Sequence, residues 1–273
     1  MGKNSDIAWT NHTFNPWWGC EKLSAGCKHC YAAVLAYTQC ELKWGAQYRF
    51  FGEKHWNEPL VWDRQAKEAD ERPKVFCASM CDIFQDITTS KLIDAGQAPK
   101  ALQERKRTFK LIETCTNMDW LLLTKRTKNV LDMVPESWLD NWPEHVWMGT
   151  TIEHQDVLKR RVAYLKQIPA PVLFVSAEPL LSGLDFTGHL GPGRGGINWV
   201  IAGGESGKNA RRMEMSWVRS LREQTSLWGV PFMFKQKVVD GLKIALPELD
   251  GRTWNQSPDV ESLKKIRAGA RPE

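Results

Sequence analysis

The sequence contains no apolar run that approaches the roughly 18 residues needed for a membrane-spanning helix. Its first residues lead into no apolar core of the kind that a secretion signal carries. Neither charge sign dominates, since 37 Lys and Arg residues against 32 Asp and Glu residues leave a net charge of only +5. These features predict a cytoplasmic chain without a membrane partner, and they permit a polyanionic partner without requiring one.

Short apolar segments alternate with amphipathic ones along most of the 273 residues. The apolar segments lie at 6–15, 74–80, 120–124, 146–152, 171–176, 199–202 and 230–234. This alternation is typical of parallel strands that helices bury on both faces. A Rossmann sheet would carry a glycine-rich turn after its first strand, and cysteines stand there instead. We therefore predict an α/β fold with a partial or full parallel (β/α) barrel.

We expect one barrel domain over residues 1–240, because α/β barrels of about this length are commonly single domains. Residues 41–73 are polar and aromatic with weak periodicity, and we interpret them as an insertion that covers the barrel mouth with some of the 14 tryptophans. Residues 241–273 are predicted to form a C-terminal extension with a disordered tail.

Polar side chains follow each predicted strand, at the end of a (β/α) barrel where active sites are built. They include Ser79, Asp82, Thr124, Lys125, Arg126, Glu153, Ser176, Glu178, Glu205 and Lys235. Any one of them could be a helix cap, but their recurrence after every strand favours a binding site. The three glutamates look buried and need a paired partner or a ligand. Gly203 and Gly204 would let a small ligand approach the backbone closely.

Cys20, Cys27 and Cys30 fall within one loop with the spacing C-x6-C-x2-C. A structural zinc site would need a fourth ligand, either His29 or Cys40, but His29 lies between two of the cysteines and is poorly placed to share their metal. No second C-x2-C pair follows at zinc-ribbon spacing. A 4Fe–4S cluster held by three thiolates would leave one iron open to bind a cofactor. The spacing favours the cluster, and zinc remains the alternative.

Three cysteines after the first strand of a barrel resemble the radical S-adenosylmethionine (SAM) superfamily, although the first gap is three residues longer than the usual C-x3-C-x2-C. The chain is more closely similar to a phage and bacterial family with a three-cysteine motif and unknown function. The segments that carry this resemblance are 13–20, 26–32, 123–126, 177–181, 201–207 and 231–236.

The radical SAM resemblance implies a TIM-type barrel, a 4Fe–4S cluster, bound SAM and an electron donor such as flavodoxin or ferredoxin. It implies reductive cleavage of SAM to a 5′-deoxyadenosyl radical that abstracts hydrogen, with the hard chemistry supplied by the cofactor. Cys20, Cys27 and Cys30 would ligate three irons, and the amino and carboxylate groups of SAM would chelate the fourth.

The remaining roles follow from matching groups to SAM. Its ammonium needs acceptors, for which Ser79 and Asp82 are candidates, and its carboxylate needs a cation, either Lys125 or Arg126. The ribose hydroxyls would meet Glu153 and Ser176. Further cofactor-binding candidates are Thr124, Gly203 and Gly204. The candidate catalytic groups at the barrel mouth, facing SAM or substrate, are Glu178, Glu205 and Lys235.

One alternative comes from a different class, a zinc-stabilised nucleic-acid-binding protein without radical chemistry. Its support is the net positive charge, the basic clusters at 100–110, 125–128 and 211–212, and the many aromatic residues that could stack on bases. A radical enzyme that acts on a nucleic acid or nucleotide would combine both readings. The sequence leaves the substrate open.

Overall fold

The computed structural model describes residues 2, 4–90, 94–193, 195–207, 209–239 and 242–268. The chain divides into two compact units, Met1–Val146 and Trp147–Glu273. Within the described residues, no helix combines the length and the apolar character needed to span a membrane.

The described residues of the first unit form five strands and five α-helices. The strands are β1 (His12–Phe14), β2 (Trp17–Trp18), β3 (Arg49–Phe50), β4 (Lys74–Cys77) and β5 (Asp119–Thr124). The α-helices are α1 (Tyr31–Cys40), α2 (Glu53–Ala69), α3 (Ala98–Thr114), α4 (Val130–Met133) and α5 (Glu136–Asp140). Short 3-10 turns lie at Ala25–Cys27, Ala95–Gln97 and Thr127–Asn129.

The second unit contains the remaining strands and helices, starting with β6, whose first residue lies at the boundary. The strands are β6 (Val146–Thr151), β7 (Leu173–Ala177), β8 (Trp199–Gly203), β9 (Phe232–Val239), β10 (Leu242–Ala245), β11 (Glu248–Leu249) and β12 (Arg252–Thr253). The helices are α6 (Gln155–Leu165), α7 (Met215–Leu227) and α8 (Val260–Arg267).

In the first unit, β1, β4 and β5 are parallel neighbours with β4 in the centre. Val75 pairs with His12 on one side and with Trp120 on the other. Val75 and Trp120 are fully buried, as expected for strands covered on both faces. Because the strands run in one direction, their carboxyl ends share one edge, and the chain that follows each strand emerges there.

In the second unit, β6, β7, β8 and β9 are parallel in that order, and β10 adds an antiparallel edge strand. Gly149 in β6 is required by packing, because a Cβ there would collide with the ring of Phe174 in β7. Trp199 of β8 lies beside that ring at a centroid distance of 5.8 Å. The predicted α/β class with mostly parallel strands is confirmed within each unit.

The segment 41–73, expected as a loosely structured insertion, consists largely of the 17-residue helix α2. Its buried face includes Trp56 and Trp62, which contact β1 rather than standing free. Trp56 lies edge-on to Phe14 at 5.2 Å, and Trp62 stacks on His12 at 4.6 Å. These two tryptophans therefore belong to the core of the first unit.

The C-terminal segment is more ordered than expected. Residues 260–267, predicted as part of a disordered tail, form helix α8. Asp259 caps this helix by accepting a hydrogen bond from the Glu261 amide at 3.1 Å. The last five residues of the predicted tail lie outside the described part of the chain.

Candidate functional site

The loop that carries Cys20, Cys27 and Cys30, here called the three-cysteine loop (residues 20–30), begins at the carboxyl edge of the first unit's strands. Gly19 precedes it with a φ of +124°. The Gly19 amide donates to the Met80 carbonyl at 3.0 Å, just after β4. A Cβ at Gly19 would lie 2.5 Å from the Gln47 carbonyl, so only glycine allows this close approach. The predicted position of the loop, next to the end of a strand, is confirmed.

All three thiols of the loop are half-buried. Cys27 closes a 3-10 turn and accepts a long hydrogen bond from the Leu23 amide at 3.5 Å. Cys30 stands at the N-cap of α1 and packs against an apolar cluster that includes Trp18 and Met80. The loop therefore ends in helix α1, as the sequence predicts.

Cys20 has a thiol whose pKa is shifted by burial and by several charged side chains close to it. Burial raises the pKa of its thiol to about 12, and the nearby Asp82 carboxylate adds to this rise. Arg126 and Lys125 act in the opposite direction by favouring the thiolate. A metal ion bound to the sulfur would also favour the thiolate strongly, since coordinating thiols are deprotonated.

Arg126 connects the end of β5 to the loop. Its Nη1 donates to Asp82 Oδ2 at 2.9 Å and lies 3.8 Å from Cys20 Sγ. Its Nη2 donates to the carbonyl oxygen of Glu21 at 2.8 Å. The guanidinium is therefore committed to the loop and to Asp82, which leaves Lys125 as the more available of the two cations predicted for the SAM carboxylate.

Asp82 organises this edge of the sheet through four accepted hydrogen bonds. Oδ1 accepts from the Thr124 hydroxyl at 2.7 Å and from the Phe84 amide at 3.1 Å. Oδ2 accepts from Arg126 and from the Lys125 amide at 3.3 Å. A carboxylate has about four lone-pair sites, so all of them are in use. Binding the SAM ammonium, the role predicted for Asp82, would require one of these bonds to break.

Ser79 lies beside the same edge, and two residues that were not predicted as part of the site, Asn15 and Tyr31, hydrogen-bond to it. Asn15 Nδ2 donates to its hydroxyl at 3.0 Å, and the Tyr31 hydroxyl donates to its carbonyl at 2.9 Å. Glu21 is tied to Gln85, whose side-chain oxygen accepts from the Glu21 amide at 3.0 Å. The signal that could have found Asn15 is a polar residue inside the first apolar segment.

The three thiols match an iron–sulfur cluster in donor type, since such clusters are held by cysteine thiolates. In the part of the chain that the structure describes, no three His, Cys, Asp or Glu side chains are grouped closely enough to hold a metal ion. The donor chemistry therefore fits a cluster, and binding one would require the three thiols to lie closer together than they do here.

In the second unit, Glu153 is fully buried and its carboxylate faces Arg161 of α6. Arg161 Nη1 donates to Glu153 Oε2 at 2.6 Å and to the Thr151 carbonyl at 2.7 Å. The side chains of Arg161 and Glu153 are 2% and 0% exposed. Glu153 is thus enclosed by its own unit, and the ribose contact predicted for it would require this enclosure to open.

Ser176, Glu178 and Lys235 form a connected group across β7, β8 and β9. The Ser176 hydroxyl donates to Glu178 Oε2 at 3.2 Å, and Lys235 Nζ lies 2.9 Å from Glu178 Oε1. Gly203 of β8 lies beneath the carboxylate, where any Cβ would collide with Glu178 Oε1. The absence of a side chain at Gly203 is what lets the ion pair form.

Glu205 is the third glutamate that the sequence singled out, and it pairs with Arg211. Arg211 donates to it through Nε at 2.8 Å, through Nη2 and through its backbone amide at 2.9 Å. Beside it, Gln236 Nε2 donates to the Gly204 carbonyl at 2.8 Å. Glu153 and Glu205 are buried, as predicted, and pair with Arg161 and Arg211, whereas Glu178 is only partly buried and pairs with Lys235.

The predicted residues therefore fall into two sets, one in each unit. The three cysteines, Ser79, Asp82 and the 124–126 segment lie in the first. Glu153, Ser176, Glu178, Gly203, Gly204, Glu205 and Lys235 lie in the second. Each set is connected internally by the hydrogen bonds and ion pairs given above.

A family model described as "Protein of unknown function (DUF5131)" matches residues 4–258. The chain belongs to this family. No curated protein and no solved structure matches the chain. The family match spans both sets of residues, and its description assigns no activity.

A substitution at Gly203 tests whether the Glu178–Lys235 ion pair requires a residue without a side chain beneath it. Gly203→Ala should displace the Glu178 carboxylate and lower the free energy of unfolding by about 1–3 kcal/mol, as overpacking does. Urea unfolding followed by circular dichroism measures the change. Gly193→Ala is the matched control, because nothing lies within 4 Å of its Cβ position. Equal stability of the two variants would show that Glu178 moves aside without cost.

Proposed function

We propose that this protein is a radical SAM-type enzyme that binds a 4Fe–4S cluster through Cys20, Cys27 and Cys30. The finer fold class, a partial or full (β/α) barrel of the radical SAM type, belongs to the same proposal. The observation that carries it is the position of the three-cysteine loop at the carboxyl edge of parallel strands. Active sites of parallel α/β folds are built at that edge.

The bound cluster and SAM would together supply an electron and a 5′-deoxyadenosyl radical for hydrogen abstraction. The protein's own part is to hold and orient these groups. Asp82 and Arg126 fix the start of the loop relative to β5, because the Thr124 hydroxyl donates to Asp82 and Arg126 donates to the Glu21 carbonyl. Lys125 would meet the SAM carboxylate, and Ser79 would accept from its ammonium.

The second unit offers groups for SAM or the substrate at the ends of β7, β8 and β9. Ser176 is the hydroxyl proposed for the ribose. Glu178 and Lys235, whose Oε1 and Nζ lie 2.9 Å apart, are the charged groups proposed to face SAM or the substrate. Gly203 and Gly204 would let a ligand approach the backbone closely. Glu205, held by Arg211, would face SAM or the substrate.

The substrate class proposed is a nucleic acid or nucleotide, on the strength of the mildly basic charge alone. A low-potential electron donor such as flavodoxin or ferredoxin would complete the system. The charge supports a polyanion more than a peptide, because the Lys and Arg residues exceed the acids by five.

Anaerobic reconstitution with iron and sulfide tests the proposal. We expect about four irons and matching sulfide per chain, with a broad visible charge-transfer absorption. Adding SAM and dithionite should then yield 5′-deoxyadenosine, measured by chromatography, while omitting SAM should yield none.

Two results would count against the proposal in different ways. A colourless protein with one tightly bound zinc would favour the zinc-stabilised nucleic-acid-binding protein, whose DNA affinity should fall steeply with salt. A protein that loads its cluster and never forms 5′-deoxyadenosine would be a cluster protein without radical chemistry.

A further inference from the structure

We infer that Arg126 sets the reduction potential of the cluster held by the three-cysteine loop. The inference rests on the proposed function and adds to it a positioning residue that acts through a thiolate ligand. Arg126 contacts the sulfur of Cys20, with Nη1 at 3.8 Å from Sγ. That distance is within the range of a hydrogen bond to sulfur.

The guanidinium cannot easily turn away from Cys20. Asp82 holds Nη1 at 2.9 Å, and the Glu21 carbonyl holds Nη2 at 2.8 Å. Both side chains of the ion pair are mostly buried, with 11% of Arg126 and 7% of Asp82 exposed. Asp82 is itself fixed by Thr124 and by backbone amides, so the position of Arg126 is determined by the end of β5.

A charge in this position acts on electron transfer. Reduction adds negative charge to a cluster and its thiolate ligands, and a nearby cation stabilises the reduced form. Hydrogen bonds to the sulfurs and local charge are established determinants of cluster potential. Partial burial limits the screening of this interaction by solvent. Arg126 should therefore make the cluster easier to reduce.

The contact of Arg126 with the Cys20 sulfur can be tested separately from its contacts with Asp82 and the Glu21 carbonyl. Any hydrogen-bond donor that reaches Asp82 and the Glu21 carbonyl could replace Arg126 there. A residue needed only to hold the loop would leave the potential unchanged once the cluster has loaded. The potential is thus the readout that distinguishes the two roles.

The experiment is an anaerobic redox titration of the reconstituted full-length protein, followed by electron paramagnetic resonance, without SAM. Arg126→Gln removes the charge and should lower the equilibrium constant for one-electron reduction at least tenfold, which corresponds to 59 mV. Arg126→Lys keeps the charge and should shift the potential in the same direction by less.

Arg72→Gln is the matched control. Arg72 pairs with Asp119 at 2.7 Å at the opposite end of β5, so the variant removes the same charge far from the cysteine loop along that strand. Its potential should equal that of the wild type.

Iron and sulfide contents decide how each result is read. Clusters in all variants with an unshifted Arg126→Gln potential would overturn the inference and leave the proposed function standing. If Arg126→Gln loads no cluster while the wild type does, the contacts of Arg126 to the loop are needed for loading, which would contradict the separation of the two roles and overturn the inference. A wild type that never binds iron would overturn the inference together with the function on which it rests.

Discussion

Cys30→Ala should abolish stable iron–sulfur loading and, with it, the formation of 5′-deoxyadenosine. A cluster held by three thiolates would keep only two of its protein ligands, and cluster iron is bound through thiolates. The substitution is mild for the fold, because the Cys30 side chain makes no capping hydrogen bond to α1. Iron and sulfide analysis after anaerobic reconstitution measures the loss, and circular dichroism checks that α1 is retained.

Cys40→Ala is the control for this prediction and separates the two metals. Cys40 lies at the end of α1, where its Sγ donates to the Ala36 carbonyl at 3.1 Å. It is a candidate fourth ligand only in the zinc interpretation, so a cluster should survive its removal. If Cys40→Ala loses metal as completely as Cys30→Ala, a four-ligand zinc site is the better account. A Cys30→Ala protein with a full complement of iron would contradict the cluster assignment.

The parallel strands β4 to β8 were predictable because each is a short apolar run that is almost entirely buried. The run 120–124 corresponds to β5 at Asp119–Thr124, and the run 199–202 corresponds to β8 at Trp199–Gly203. In a layered fold, a strand that is buried on both faces appears in the sequence as a short continuous apolar run. Such runs, alternating with amphipathic segments, locate these strands.

The strand predicted for the first apolar segment is too long, and the polar residues of the segment explain why. The prediction covered 6–15, whereas β1 spans only His12–Phe14. Before it the chain turns, with the Thr10 amide donating to the Ile7 carbonyl at 3.0 Å. The Asn11 side chain accepts from the Lys74 amide at 2.8 Å. Side chains that bond to backbone compete with strand pairing, and spacing alone does not reveal which one wins.

Helix α2 was not predicted from the sequence, because its buried face contains Pro59 together with two tryptophans. Proline inside a helix is disfavoured, and tryptophans suit loops and strands as well as helices. The decisive contacts, with His12 and Phe14 of β1, are distant in sequence. Tertiary packing thus overrode a weak local signal.

Residue types at the strand ends were predictable, but their pairings were not. The sequence identifies Glu153 and Glu205 as carboxylates in need of partners, and the partners Arg161 and Arg211 stand eight and six residues later. Many charged residues lie at comparable distances, and only the path of the chain selects among them. For the same reason the sequence assigns Asp82 to a ligand, whereas four donors of its own unit already occupy it.

Arg161→Met should lower the free energy of unfolding of the second unit by about 3–5 kcal/mol. It would leave the Glu153 carboxylate, which is 0% exposed, without the ion-pair partner that lies 2.6 Å away. Removing one member of a buried pair leaves an uncompensated charge, which costs about this much. The Thr151 carbonyl would also lose its donor. Urea unfolding monitored by tryptophan fluorescence measures the change.

The double variant Arg161→Met with Glu153→Leu tests whether Glu153 has a role in SAM binding or only neutralises Arg161. Replacing both charges by apolar groups should recover most of the lost stability, because apolar pairs often stabilise as well as buried ion pairs. If Glu153 meets the ribose of SAM, the recovered protein should still bind SAM at least tenfold more weakly in equilibrium dialysis. If SAM binding returns with stability, Glu153 serves only Arg161. A single variant that loses less than about 1 kcal/mol would show that Glu153 finds water or another donor once Arg161 is gone.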